Sequence, residues 1–210
     1  FVIAQLGQSL DGRIATPTGA SQWINGGAAL DHLHRLRAHV DAVIVGIGTA
    51  IADDPQLTVR RVPGRNPARV VIDLNGRLPD TARCLNDDGT RTIIVRGMQA
   101  PRQPNAETIR LPDRGGRIEP GVLTNYLFAQ GMRKILVEGG ATTVSKFLDD
   151  RVLDRIHLLV APIILGSGTP GLSLNPIAEL DAALRPATPI HQLDDGDVLF
   201  DCDMRDLRRG

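Results

Sequence analysis

The chain has 210 residues, 42% of them hydrophobic and 23% charged, with 24 basic and 24 acidic side chains that cancel. This composition is ordinary for a globular protein with one sizeable core, and the neutral balance excludes a general attraction to nucleic acid or to an anionic membrane surface. No apolar run approaches the ~18 residues of a membrane span, and the two cysteines, Cys84 and Cys202, match no metal-ligand spacing; a reduced, cytoplasmic protein is expected.

Val2 to Leu6 reads as a strand, and the opening FVIAQL lacks the charged start and cleavage site of a signal peptide. The sequence begins without Met and in mid-strand, which leaves a preceding domain open. Ser9-Leu10-Asp11-Gly12-Arg13-Ile14-Ala15 follows as a turn. Next comes Ser21-Gln22-Trp23-Ile24, which holds the sole tryptophan of a chain with 3% aromatic residues. A flat ring after a Gly/Pro-rich loop suits either a core position or the cover of a ligand. Gly27 to Val40 is a helix, striped by Leu30, Leu33, Leu36 and Val40. At ~100° per residue Arg37 falls inside that stripe. A guanidinium there must be paired internally or reach a charged ligand, and its planar fork suits phosphate or carboxylate. His32 and His34, two apart, cannot clamp one metal ion together. The other three histidines lie in separate segments, so no metal site is expected.

Ala42 to Ile47 is a strand, after which Thr49, Asp53, Asp54 and Pro55 are expected to fill a loop. Strands are expected again at Arg69 to Leu74, Thr92 to Arg96 and Glu107 to Leu111. Pro120 to Gln130 is a helix, with Pro in its first turn and Gly131 at its stop. Lys134 to Val137 is a strand and Thr142 to Val152 a helix. Arg155 to Leu165 is a long apolar strand interrupted by Pro162. His191 to Leu193 and Val198 to Asp203 flank Asp194-Asp195-Gly196-Asp197, a hairpin turn. Ala100 to Pro104 and Gly166 to Pro176 read as surface loops.

Continuous apolar strands such as VIVGI, VVID and ILVE imply burial on both faces, and intervening helices imply parallel crossovers. The expected fold is one α/β domain over 1–210. It has three layers, with a mixed, mostly parallel sheet and a C-terminal antiparallel hairpin. Such sheets bind ligands at the carboxyl ends of their strands. Glu138-Gly139-Gly140 sits at such an end, and Thr142 and Thr143 open the next helix. Side-chain-free residues and free N–H groups at a helix start make an anion site, favouring a dinucleotide pyrophosphate. Glu138, ending a buried strand, is either paired with an N–H or Arg or anchors a substrate.

In order along the chain, SLDGRIA, SQWI, HRLRAHVDAVIVGIGTAIADDPQLTVR, VVID, ILVEGG and VAPIILG resemble the riboflavin-pathway pyrimidine reductases. These comprise the reductase domain of the bifunctional deaminase/reductase and its stand-alone relatives, and the likeness spans nearly the whole chain. The resemblance implies a dihydrofolate reductase-like fold, a homodimer, NADPH as cofactor and a phosphorylated small-molecule substrate. It implies substrate contacts at Ser21, Arg37, Leu57, Arg60 and Glu138, with Arg37 and Arg60 on the ribose 5-phosphate. It implies cofactor contacts at Gly7, Trp23, Thr49, Asp53, a residue at or near Leu74, and the turn from Gly140 to Lys146, with Gly139, Ala141, Thr142, Thr143 and Val144 around it. The implied chemistry is hydride transfer to the sugar C1, with Glu138 orienting the substrate and Asp53 or water managing the proton. Arg77 and Arg96, which follow strands, are candidates for a cofactor 2′-phosphate. Many relatives carry Lys where this chain has Gln5, which leaves the identity of the pyrimidine open. Two rivals stand beside this reading: a dihydrofolate-type or other small-molecule reductase, and a non-enzymatic nucleotide-binding module.

Overall fold

The structure, a computed structural model, describes residues 1–22, 24–113 and 115–209. In chain order its elements are β1 (Val2–Ser9), β2 (Arg13–Ala15), α1 (Gly27–His39), β3 (Ala42–Gly46), α2 (Ile47–Asp53), β4 (Ala68–Ile72), β5 (Thr92–Arg96), β6 (Glu107–Arg110), α3 (Pro120–Ala129), β7 (Ile135–Glu138), α4 (Ala141–Asp149), β8 (Arg155–Ala161), β9 (Thr169–Pro170), β10 (Ile190–Gln192) and β11 (Val198–Asp203).

Among the described residues, nine strands make one sheet in the order β10-β11-β8-β1-β7-β3-β4-β5-β6. All pairs from β8 through to β6 are parallel, and β11 pairs antiparallel with both β8 and β10. The mostly parallel sheet with its antiparallel C-terminal hairpin is the expected architecture. β1, β3, β4, β5 and β7 are buried almost throughout, as two-sided coverage requires. Alternate residues divide between two cores. Ala4, Ile44, Val70 and Val137 pack with Leu123 and Leu127 of α3 and Val144 and Phe147 of α4. Ile3, Val43, Val71 and Leu136 pack with Leu33 and Leu36 of α1 and Ala50 of α2. This completes the three layers.

Two segments depart from expectation. The stretch after β3, expected as a loop, forms helix α2. Gly46 and Gly48 read as turn residues, but Ala50 is buried beneath the sheet's second core and tertiary packing overrides local preference. The helix stops at Asp54, which is left-handed (φ 39°, ψ 57°), immediately before Pro55. The 166–176 loop contributes β9, which pairs with β2 through Arg13↔Pro170 and Ala15↔Thr169. The hairpin turn also does more than reverse the chain. Asp195 accepts the N–H of Ala28 and Asp197 that of Gly26, so the turn caps the start of α1. No helix is long and apolar enough to cross a membrane among the described residues.

Candidate active site

A cleft of about 840 Å³ opens at the carboxyl ends of β3, β4 and β7. Gly46, Ile47, Gly48, Thr49, Ala52 and Asp53 form one wall, and Gly140, Ala141, Thr142, Thr143, Ser145 and Lys146 form another. Leu74, Asn75 and Arg77, in the turn after β4, line a further side. The starts of α2 and α4 approach closely here. A Cβ built on Gly46 would lie 2.3 Å from Thr143 Oγ1, so a side chain at Gly46 would force this corner to shift. The Gly140 N–H donates to Thr49 Oγ1 at 2.7 Å. At the first turn of α4, the N–H groups of Ala141 and Thr142 are beyond the reach of any helical carbonyl. They join the helix dipole in favouring an anion at this corner.

Asp53, the last residue of α2, is exposed and lines the cleft. Partial desolvation pushes its carboxyl up from the ordinary range, and the Ser21 hydroxyl, 3.4 Å away, works in the opposite direction. A carboxyl shifted upward in this way holds a proton more readily than an ordinary one.

Beside the cleft lies a second cluster, built by α1, β7 and the segment after α2. Arg37 Nε donates to Glu138 Oε1 at 2.7 Å and Nη2 to Oε2 at 2.6 Å, while Nη1 donates to the Thr58 carbonyl at 3.0 Å. Both side chains are largely buried, 7% and 9% exposed. Burial works against the guanidinium's charge, but Glu138's charge and hydrogen bonds outweigh it and raise its pKa. Gln5 stands beside Glu138 across the β1–β7 ladder. Arg60 is exposed, and its Nη1 donates to Gln56 Oε1 at 2.9 Å and Thr58 Oγ1 at 2.8 Å. Partial desolvation, then the neighbouring charges of Arg37 and Arg83, lower its pKa, while Glu138 acts the other way.

The structure therefore brings Ser21, Thr49, Asp53, Leu74, Gly140, Ala141, Thr142, Thr143 and Lys146 to one cleft, and groups Arg37 and Glu138 next to it. Other expected residues lie outside the cleft or face away from it. Arg37 does not offer an open fork to a phosphate; it is held by Glu138 and Thr58. The Val144 side chain is fully buried against the sheet, because it lies on the inward face of α4. Leu57 is likewise 1% exposed and packs in the second core. Gly7 faces Asn25, whose Oδ1 would lie 2.0 Å from an added Cβ. Gly139 does not line the cleft but packs against Thr143 and the Gly46 backbone. Arg96 is 1% exposed and bound to Asp73 and Gln103, so of the two arginines proposed for a 2′-phosphate only Arg77 reaches the cleft. Trp23 lies outside the described residues.

Residues 1–187 match the RibD C-terminal domain family. The chain belongs to this family. Among relatives of the RibD C-terminal domain, it is 38% identical over 174 residues to the 2,5-diamino-6-ribosylamino-4(3H)-pyrimidinone 5′-phosphate reductase of Methanothermobacter thermautotrophicus, covering 79% of each chain. It is 36% identical over 181 residues to the riboflavin biosynthesis protein RibD of Mycobacterium tuberculosis, covering 84% of this chain and 46% of that one. The RibD structure of Acinetobacter baumannii superposes with a TM-score of 0.83 at 30% identity, over 97% of this chain and 57% of that one. This chain thus spans about half the length of the RibD proteins it matches. A dihydrofolate reductase of Enterococcus faecalis shares the fold at a TM-score of 0.53 and 12% identity, over 97% of this chain and 96% of that one.

Sequence reasoning missed part of the RibD-type cleft. Arg117, Ser173 and Asn175 line it from loops, and Ala15 and Thr169 from the β2–β9 pair. The Pro/Gly density of 166–176 marked Thr169, Ser173 and Asn175 as surface, Ala15 stood out only as the end of the SLDGRIA turn, and nothing marked Arg117.

Proposed function

We propose that this chain reduces a 5-phosphoribosylamino-pyrimidine to its ribitylamino form with NADPH, a step of riboflavin biosynthesis. The observation that carries this reading is the glycine corner at Gly46 and Gly140. Two helix starts meet there without side chains, within a cleft of about 840 Å³. The residues present fit that cofactor. Thr49, Gly140, Ala141, Thr142 and Thr143 would hold the pyrophosphate, Leu74 would face the adenosine end, and Arg77 would take a 2′-phosphate. When bound, the cofactor supplies a hydride for the sugar C1.

The chain's own residues bind and orient. Arg60, whose guanidinium donates to the neutral side chains of Gln56 and Thr58, meets the substrate's phosphate. Arg37 fixes Glu138, and Glu138, with both oxygens oriented by Arg37, faces the ribose. Asp53, its carboxyl raised by partial desolvation, exchanges the proton that accompanies reduction at the sugar. Ser21 sets the rotamer of Asp53. The same reading takes the protein as a cytoplasmic homodimer, and strand β10 offers an unpaired sheet edge on which a second copy would dock.

The test is NADPH oxidation with the 2-amino and the 2-oxo pyrimidine phosphates in parallel, with dihydrofolate as the control. Turnover of either pyrimidine and none of dihydrofolate is expected. Turnover of dihydrofolate alone would overturn the reading.

A further inference from the structure

His34 has no part in the reaction described above, yet it is 4% exposed and reaches the segment that carries Arg60. It lies three residues before Arg37 on α1, hence on the same face. Its Nδ1 accepts the Arg60 N–H at 3.0 Å. Arg37 Nη1 donates to the Thr58 carbonyl at 3.0 Å, and Asn66 Oδ1 accepts the Val59 N–H at 2.8 Å. Side chains thus hold a backbone group of each of three consecutive residues. Among the described residues, this segment pairs with no strand. It also follows two non-glycine residues in the left-handed region, Asp54 (φ 39°) and Leu57 (φ 57°). Such backbone persists only where its surroundings over-determine it.

We infer that His34 is a positioning residue for substrate binding, clamping the backbone of Arg60 so that its guanidinium is presented, uncancelled, to a phosphate monoester. The inference rests on the reading in which Arg60 meets the substrate's phosphate. For Nδ1 to accept, the proton sits on Nε2 and the ring is neutral. Burial first, then the charges of Arg37, Arg60 and Arg61, push its pKa down to about 4, against the opposing pull of Asp31. A protonated ring would set two N–H donors against each other and release the segment.

The experiment compares wild type with His34→Leu, His34→Asn and Arg60→Ala. It follows KM and kcat for the pyrimidine phosphate, the Kd of NADPH and the Kd of ribose 5-phosphate. His34→Leu is expected to raise both substrate constants roughly tenfold, the worth of one lost hydrogen bond, with kcat and the Kd of NADPH near wild type. His34→Asn, whose Oδ1 can accept from the same N–H, is expected to restore most of the loss. In wild type the Kd of ribose 5-phosphate should rise on acidification toward pH 4, and in His34→Asn this rise should be blunted. Equal losses in His34→Leu and His34→Asn, or an equal rise in the Kd of NADPH, would overturn the inference. Should His34→Leu fail to fold, the asparagine variant and the pH profile decide alone. A large effect of Arg60→Ala with none at His34 sinks the clamp only. No effect of Arg60→Ala sinks the underlying assignment of the phosphate.

Discussion

Removing Arg37 tests how the site is built. In the folded protein Glu138 has both oxygens bonded to that guanidinium at 2.6 and 2.7 Å, with the side chains 7% and 9% exposed. Arg37→Ala leaves a carboxylate largely out of water with its hydrogen-bonded ion-pair partner gone, and frees the Thr58 carbonyl as well. Stripping one member of a buried pair costs about 3–5 kcal/mol, a large share of the ~5–15 kcal/mol that holds a typical domain together. Glu138→Gln, which leaves the buried guanidinium without its countercharge, should cost a comparable amount. Urea denaturation followed by circular dichroism measures both. A loss under about 1 kcal/mol in either variant would refute a buried pair.

Three further outcomes are expected. Arg77→Ala should lower the preference for NADPH over NADH by roughly tenfold or more, the worth of a charged hydrogen bond; binding of 2′,5′-ADP against 5′-AMP measures it, and an unchanged ratio would remove Arg77 from the 2′-phosphate. Thr49→Val strands the Gly140 N–H at the α4 corner, so NADPH affinity should fall roughly tenfold, read by calorimetry, with little change in substrate affinity. Burial, first among the causes, holds His32 and His34 down at about pH 4 against an ordinary 6.5. Between those values the unfolded chain binds protons that the folded chain refuses, so stability should decline as pH drops from 6.5 to 4. A flat urea midpoint across that window would contradict their neutral burial.

The parts of the fold legible in the sequence were the unbroken apolar runs. Those in VIVGI, VVID and ILVE all lie in the middle of the sheet with helices on both sides. α2 was illegible because Gly46 and Gly48 speak locally for a turn, whereas the burial of Ala50 is a tertiary fact. β2 and β9, three and two residues long, carry no period at all. Arg37 and Glu138 were each recognisable as charges in apolar settings. That each answers the other across 101 residues was not recognisable, since pairing partners leave no local trace. The family resemblance supplied positions without directions. Val144 and Leu57 occupy the expected places, but their side chains turn inward to the cores.

β1 lies between β7 and β8, pairing Val2 with Ile135 and Ile3 with Arg155. A ribosome makes this central strand well before both of its neighbours. α1 waits longer still, for the aspartates at 195 and 197 that cap it. On emerging from the exit tunnel β3, β4, β5 and β6 can pair with one another in turn, but apolar β1 has nothing beside it until β7 and β8 follow, the circumstance in which slow, non-local pairing invites aggregation. Shielding of β1 by chaperones during synthesis should therefore matter more than for a sheet laid down in chain order.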